Sequence, residues 1–288
     1  SLLNLFLRGR GVRGPYLSGV DSLNFGVILF GDSMRSHIWV RNTGDIDTVR
    51  IIDVFVSGPF YVRDVSKFVL PPGDSSRIDL VLRGDVGGLH SSVLKIVSNA
   101  WNDTFIVRLF GEVVRVARIS YVSSSIDFGD VYVGRSLDRM FRVYNVGSDT
   151  LRIDGIEFRD GVRFRYVGSI PLKVSPGDSL DLVFRFSPDG RGEYFDSVLV
   201  RNNSINDSLL NLFLRGRGVR GPYLSGVDSL NFGIVFFGDS MRSHIWVRNT
   251  GDIDTVRIID VFVSRPFYVR GVSKFVLPPG DSSRIDLV

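Results

Sequence analysis

The first 81 residues return almost unchanged at the far end of the chain. Ser1–Val81 reappears as Ser208–Val288, 207 positions on, with 76 of 81 positions identical. The five differences are Val27/Ile234, Ile28/Val235, Leu29/Phe236, Gly58/Arg265 and Asp64/Gly271. Between the copies lies a more distant relative. Asn24-Phe25-Gly26 corresponds to Asp127-Phe128-Gly129, Asn42-Thr43-Gly44 to Asn145-Val146-Gly147, and Pro72-Gly73-Asp74 to Pro176-Gly177-Asp178. The elementary unit is therefore about 103 residues, and two unit types alternate. Such a chain folds as a row of modules. The expected division is residues 1–13, the terminal strand of a missing preceding domain; 14–115, domain 1; 116–219, domain 2; and 220–288, a C-terminally truncated domain 3. The truncation leaves out the counterpart of Leu82–Val114, with about five core side chains worth ~1.5–3 kcal/mol each. The third unit is expected to be unstable alone and to expose an open sheet edge.

Composition sets the secondary structure. Among 288 residues Ala occurs twice, Glu three times, Lys four times and Gln never. These are strong helix formers. Val, Ile, Phe and Tyr, which suit a pleated surface, abound. In the middle unit Leu180, Leu182, Phe184 and Phe186 alternate over seven positions, the period of a half-buried strand. Phe141 and Val143 do the same, as do Ile78, Leu80 and Leu82 in the first unit. Turn residues interrupt these runs every 8–12 positions. The fold class that follows is all-β: tandem immunoglobulin-like β-sandwiches of about seven strands each, the last one truncated. Gly44, Gly147 and Gly251 are expected to supply positive φ after a strand, and Asn42, Asn145 and Asn249 to bond their own backbone two residues on. Phe25, Phe128 and Phe232 are candidate core plugs.

Ile126-Asp127-Phe128-Gly129-Asp130-Val131-Tyr132-Val133-Gly134, followed by Phe141-Arg142-Val143-Tyr144-Asn145-Val146-Gly147, resembles the ASPM–SPD-2–Hydin (ASH) type of immunoglobulin-like domain. The same pattern is found in bacterial choice-of-anchor D proteins and is related to the major sperm protein fold. Phe186-Ser187-Pro188 and Leu214-Arg215-Gly216 extend the resemblance through the middle unit; unit one departs where Leu82-Arg83-Gly84 replaces the Phe-Ser-Pro segment. The resemblance implies non-catalytic modules, either protein-binding units of cilia and centrosomes or stalk-like repeats of bacterial envelope and secreted proteins.

Several motifs suggest chemistry that their surroundings do not support. Gly9-x-Gly11-x-x-Gly14 and Gly216-x-Gly218-x-x-Gly221 fit the dinucleotide fingerprint, which needs a helix N-terminus behind it, but Pro15-Tyr16-Leu17-Ser18-Gly19 follows with no helix. They are expected to be inter-domain turns. Asp127-Phe128-Gly129 lacks every other kinase motif. Asp45-x-Asp47 and Asp252-x-Asp254 supply too few oxygens for calcium and are expected to be solvated turns. His90 has no evident partner. Asn102, Asn202 and Asn206 head glycosylation sequons. With no cysteine and three histidines, no catalytic, cofactor or metal residue is assigned.

The candidate protein-interaction face is His37, Trp39 and Arg41, with its copy His244, Trp246 and Arg248, placed opposite the core by strand alternation. A net charge of +4 with interspersed signs is no nucleic-acid footprint. No run approaches the ~18 apolar residues of a membrane span. The expected function is a non-enzymatic spacer or adhesion array of a larger bacterial surface or secreted protein. The alternatives are a ciliary or centrosomal scaffold, or accessory domains beside an enzyme. Protein partners are unidentified, and strand-swapped self-association through open domain ends is expected.

Overall fold

The computed structural model describes residues 6–64 and 67–288. Every element among them is a β-strand. Among the described residues no helix is long and apolar enough to cross a membrane. The chain divides into two compact units, Ser1–Ala117 with Gly147–Asp149, and Arg118–Val146 with Thr150–Val288.

The first unit contains nine strands: β1 Leu17–Gly19, β2 Ser22–Leu29, β3 Ser33–Asn42, β4 Val49–Phe55, β5 Phe60–Arg63, β6 Val69–Leu70, β7 Ser75–Arg83, β8 Gly88–Ser98 and β9 Thr104–Val114. They form two sheets, β1-β3-β7-β5 and β2-β9-β8-β4-β6. Side chains of alternating register fill the space between: Ile38, Val40, Ile78, Leu80, Leu82, Leu94, Ile96, Val107 and Leu109 are almost wholly buried. The ladders are antiparallel except one. β2 lies parallel to β9, so the unit's early and final strands close the sheet together. The count exceeds seven because two- and three-residue edge strands such as β6 and β1 are too short to show a period.

The second unit begins with the same plan: β10 Ile119–Ser120, β11 Ser125–Tyr132, β12 Leu137–Asn145, β13 Leu151–Phe158, β14 Phe164–Tyr166, β15 Leu172–Val174, β16 Ser179–Phe186, β17 Gly192–Asn202 and β18 Leu209–Val219. The sheets are β10-β12-β16-β14 and β11-β18-β17-β13-β15, with β11 parallel to β18. Phe128, Phe164 and Phe186 meet in the core; Phe164 and Phe186 stack at 4.7 Å. Where unit one lacks the Phe-Ser-Pro segment, the same backbone tie survives: Gly31 N–H donates to Gly84 O as Gly134 N–H donates to Pro188 O.

The rest of this unit holds β19 Leu224–Gly226, β20 Ser243–Asn249, β21 Val256–Ile258, β22 Val269–Arg270, β23 Phe275–Leu277 and β24 Ser282–Leu287. One four-stranded sheet, β19-β20-β24-β22, repeats the first unit; its partner is reduced to β21-β23. Among the described residues nothing takes the place that β8 and β9 fill in the first unit. The segment corresponding to β2 therefore has no ladder. Ile28 is 5% exposed but Val235 is 42%, and Phe236 and Phe237 lie in solvent. The core cluster contracts to Val247, Leu277, Ile285 and Leu287.

Two local expectations need correction. Gly44 and Gly251 do not carry positive φ; Asp47 (67°) and Asp254 (66°) do. Gly is required there because a Cβ would strike the backbone of Gly14 and Pro15, or of Gly221 and Pro222. Gly216 and Gly218 are not in a turn but inside β18, where Gly216 leaves room for the Phe186 ring. The Pro-Gly turns behave as expected, with Gly73 at φ 85° and Asp74 N–H donating to Pro71 O.

Candidate interaction face

Strand alternation in the β1-β3-β7-β5 sheet turns Ile38, Val40, Ile78 and Leu80 inward, and so turns Arg35, His37, Trp39 and Arg41 of β3 outward. Arg77, Asp79 and Arg83 of β7 and Tyr61 and Arg63 of β5 share that outer surface. The ladder sets the rows: His37 opposite Asp79, Trp39 opposite Arg77, and Arg63 on the other side of Asp79. Trp39 is 54% exposed and meets His37 edge to face, ring centroids 6.4 Å apart. Arg41 Nε donates to Gly73 O, and the Arg83 guanidinium lies over the Tyr61 ring. Trp246, His244 and Arg248 repeat this geometry on β20. The sequence picked out His37, Trp39 and Arg41 but missed Arg35, Arg63 and Arg77, because β5 and β7 join β3 only through long-range pairing.

The middle sandwich presents a different surface. On β12, β14 and β16 the outward charges are Asp138, Arg142, Arg165, Asp181 and Arg185. Four of them are matched across the ladder: Arg142 grips Asp181 with two bonds of 2.7 Å, and Arg185 grips Asp138 at 2.6 and 2.7 Å. These fork-to-carboxylate bonds hold the Asp138 and Asp181 carboxyls below the usual range, and Asp181 lifts the Arg142 guanidinium.

The remaining candidates have structural employment. Asn42 is fully buried. Its Oδ1 accepts from the N–H groups of Gly44 and Tyr16, and its Nδ2 donates to the carbonyls of Asp47 and Leu70. Asn249 repeats all four bonds. Asp45 is not a free solvated carboxylate, since it accepts from Arg13 N–H; Ser148 accepts from Val116 N–H at the equivalent position. Asp252 accepts from Arg220 N–H and pairs with Arg191, while Tyr132 O–H donates to Asp254. His90 lies in β8 and has a partner, bonding Val86 O at 2.7 Å. The sequon amides are engaged: Asn102 bonds both backbone groups of Leu17, Asn206 both of Ile119, and Asn202 donates to Asp207 O. Phe128 is core, and Asp127 accepts from Gly129 N–H. Pro15 and β1 follow Gly14. No three His, Asp or Glu side chains gather as a metal site among the described residues.

The Arg191–Asp252 pair gives a pH signature. Arg191 first, then the Arg220 N–H, holds the Asp252 carboxyl below its ordinary 3.8. Its stabilising contribution is present above about pH 4 and lost as pH falls through the lower folded-state value. The melting temperature of Asp252→Asn should fall below that of the parent at pH 6 and converge with it near pH 2; a constant gap would contradict the assignment.

These sandwiches define an array of immunoglobulin-like domains, a class that is generally non-catalytic and serves interaction or structural roles. Residues 117–217 match the family described as HYDIN/CFA65/VesB-like, Ig-like domain. No curated protein matches the chain in sequence. Among solved structures, a protein of unknown function from Porphyromonas gingivalis W83 is 18% identical, with 70% of this chain and 99% of that one covered and a TM-score of 0.32. The ASH / PapD-like domain 7 of human CEP192 is 16% identical over 37% of this chain and 88% of its own, TM-score 0.30. Titin domains I67–I69 are 8% identical, covering 96% of this chain and 89% of that one, TM-score 0.33.

Proposed function

We propose that this chain is a non-enzymatic array, divided at about residues 14, 116 and 220, that spaces and presents protein-binding faces on a bacterial surface or secreted protein. The observation that carries the reading is the pairing of side-chain-filled sandwiches with an outward His–Trp–Arg face on alternate units. The described interior volume is packed with aliphatic and aromatic groups. The outward Trp and Arg types are those favoured at binding hot spots.

A scaffold of cilia or centrosomes is the second reading, favoured by the match of residues 117–217 to a description that names HYDIN. The same description names VesB, which supports a third reading as accessory domains beside an enzyme. Flanking sequence separates them: a signal peptide and sorting tail, coiled-coil neighbours, or a hydrolase domain.

A spacer must bear load unit by unit. Stretching single molecules should give discrete rupture peaks separated by about 350 Å of released chain, the extended length of ~100 residues. A featureless extension curve, or hydrolytic turnover by the chain itself, would defeat the reading.

A further inference from the structure

The two unit types differ most in how their outer sheet handles charge. On the outward positions of β3, β5 and β7 there are five arginines, Arg35, Arg41, Arg63, Arg77 and Arg83, against the single carboxylate Asp79, which pairs with Arg77 at 3.0 Å and leaves the face four positive charges in excess. Residues 14–115 as a whole hold 10 basic and 11 acidic groups, a net of −1. Positive charge is therefore concentrated on one face of a unit that is otherwise acidic. The equivalent face of the middle sandwich, described above, cancels four of its five charges internally.

The five differences between the near-identical copies sharpen this. Three exchange apolar residues in the β2 segment. The other two, Gly58/Arg265 and Asp64/Gly271, lie on either side of one edge strand, β5 in the first unit and β22 in its copy. Each raises the local charge by one. Asp64 pairs with Arg63 at 3.1 Å in the first unit; Gly271 leaves Arg270 without that carboxylate. Both copies form a cleft at this place. Arg35, His37, Arg63 and Arg77 with Asp64 and Asp79 line one of about 410 Å³, and Arg242, His244, Arg270 and Arg284 with the single carboxylate Asp286 one of about 530 Å³.

We infer that this arginine face, β3-β7-β5 and its copy β20-β24-β22, is a docking surface for an extended acidic protein segment, and that the copy with Arg265 and Gly271 binds it more tightly. The inference rests on the interaction-module reading and names the partner's chemistry. Guanidinium forks match carboxylates with paired bonds. Trp39 and Tyr61 stand half-exposed among them, suited to apolar or aromatic residues between the acids. A nucleic acid fits less well. Asp79 sits in the middle of the face, where a phosphate chain carrying a charge at every step would meet it, and the unit's net charge provides no long-range field to gather one. A peptide can set a neutral residue opposite Asp79.

The test is fluorescence anisotropy on the full chain with a labelled peptide alternating glutamate and tyrosine, beside its glutamine counterpart. The glutamate peptide should bind, and the glutamine peptide at least about tenfold more weakly. Arg35→Glu with Arg77→Glu should weaken binding, and Arg242→Glu with Arg284→Glu should weaken it by a larger factor. Arg142→Gln in the middle unit should leave it unchanged. These residues are exposed, and unchanged melting curves will show that the variants fold. Equal binding of the two peptides, insensitivity to the arginine changes, or displacement by single-stranded DNA or a heparin fragment at lower concentration than by the peptide would overturn the inference. Should the peptide fail while the stepped rupture pattern persists, the partner is wrong and the array reading stands.

Discussion

A chain extended past Val288 by a second copy of residues 82–114 should gain a third cooperative unfolding transition. The same sheet is present in a complete and an incomplete setting within one molecule, so the comparison is internal. In the first unit Leu82, Leu94, Ile96, Val107, Leu109 and Val113 are buried contributions of that segment. At ~1.5–3 kcal/mol for each buried side chain they supply on the order of 10 kcal/mol, comparable with the ~5–15 kcal/mol stability of a whole domain. Without them Val235, Phe236 and Phe237 are exposed, where Ile28 is buried and Leu29 and Phe30 are half-buried. The extension should bury Val235 as Ile28 is buried and half-bury Phe237 as Phe30 is, and abolish most binding of a hydrophobic dye. Urea unfolding followed by circular dichroism reads the new transition. If dye binding persists and no transition appears, the copy does not fold as the first unit does.

Replacing Asn42 by leucine should cost the first sandwich about 4 kcal/mol, although the volumes are similar. The amide satisfies four backbone groups from three separate stretches of chain: Tyr16, the turn residues Gly44 and Asp47, and Leu70. Leaving a buried polar group without a partner costs ~1–3 kcal/mol. Aspartate should not rescue, because it keeps the acceptor but sets a carboxylate against the carbonyls of Asp47 and Leu70. By contrast Trp39→Ala, on the outer face, should change stability by under about 0.5 kcal/mol. A shift for Asn42→Leu no larger than for Trp39→Ala, measured as urea midpoints, would show that water replaces the amide.

Much of this was legible from residue order. Alternation at Ile78, Leu80 and Leu82, and at Leu180 through Phe186, placed the inner sides of the central strands. Phe25 and Phe128 proved to be core plugs. What stayed hidden depends on pairing between distant segments. Nothing local to Ser22–Leu29 announces that it lies parallel to Thr104–Val114. Gly216 looked like part of an inter-domain turn because only the fold brings Phe186 against it. Gly44 looked like a φ requirement, when the constraint is the approach of Gly14 and Pro15. At the interaction face, single-strand neighbours His37, Trp39 and Arg41 were visible; Arg63 and Arg77 arrive through the ladder.

The parallel ladder between β2 and β9, and between β11 and β18, has a consequence for synthesis. A unit's opening strand lacks its neighbour until the closing one has left the ribosome. At ~5–20 residues per second, some hundred residues imply a wait of about 5–20 seconds. Throughout that interval a slot stands vacant that the next-emerging closing strand of any compatible unit would fit. Because neighbours in this chain are of unlike type, the first unit's slot meets its own strand first; in the middle unit the well-matched impostor is residues 2–12, identical in sequence to β18, which leave the ribosome before that slot forms.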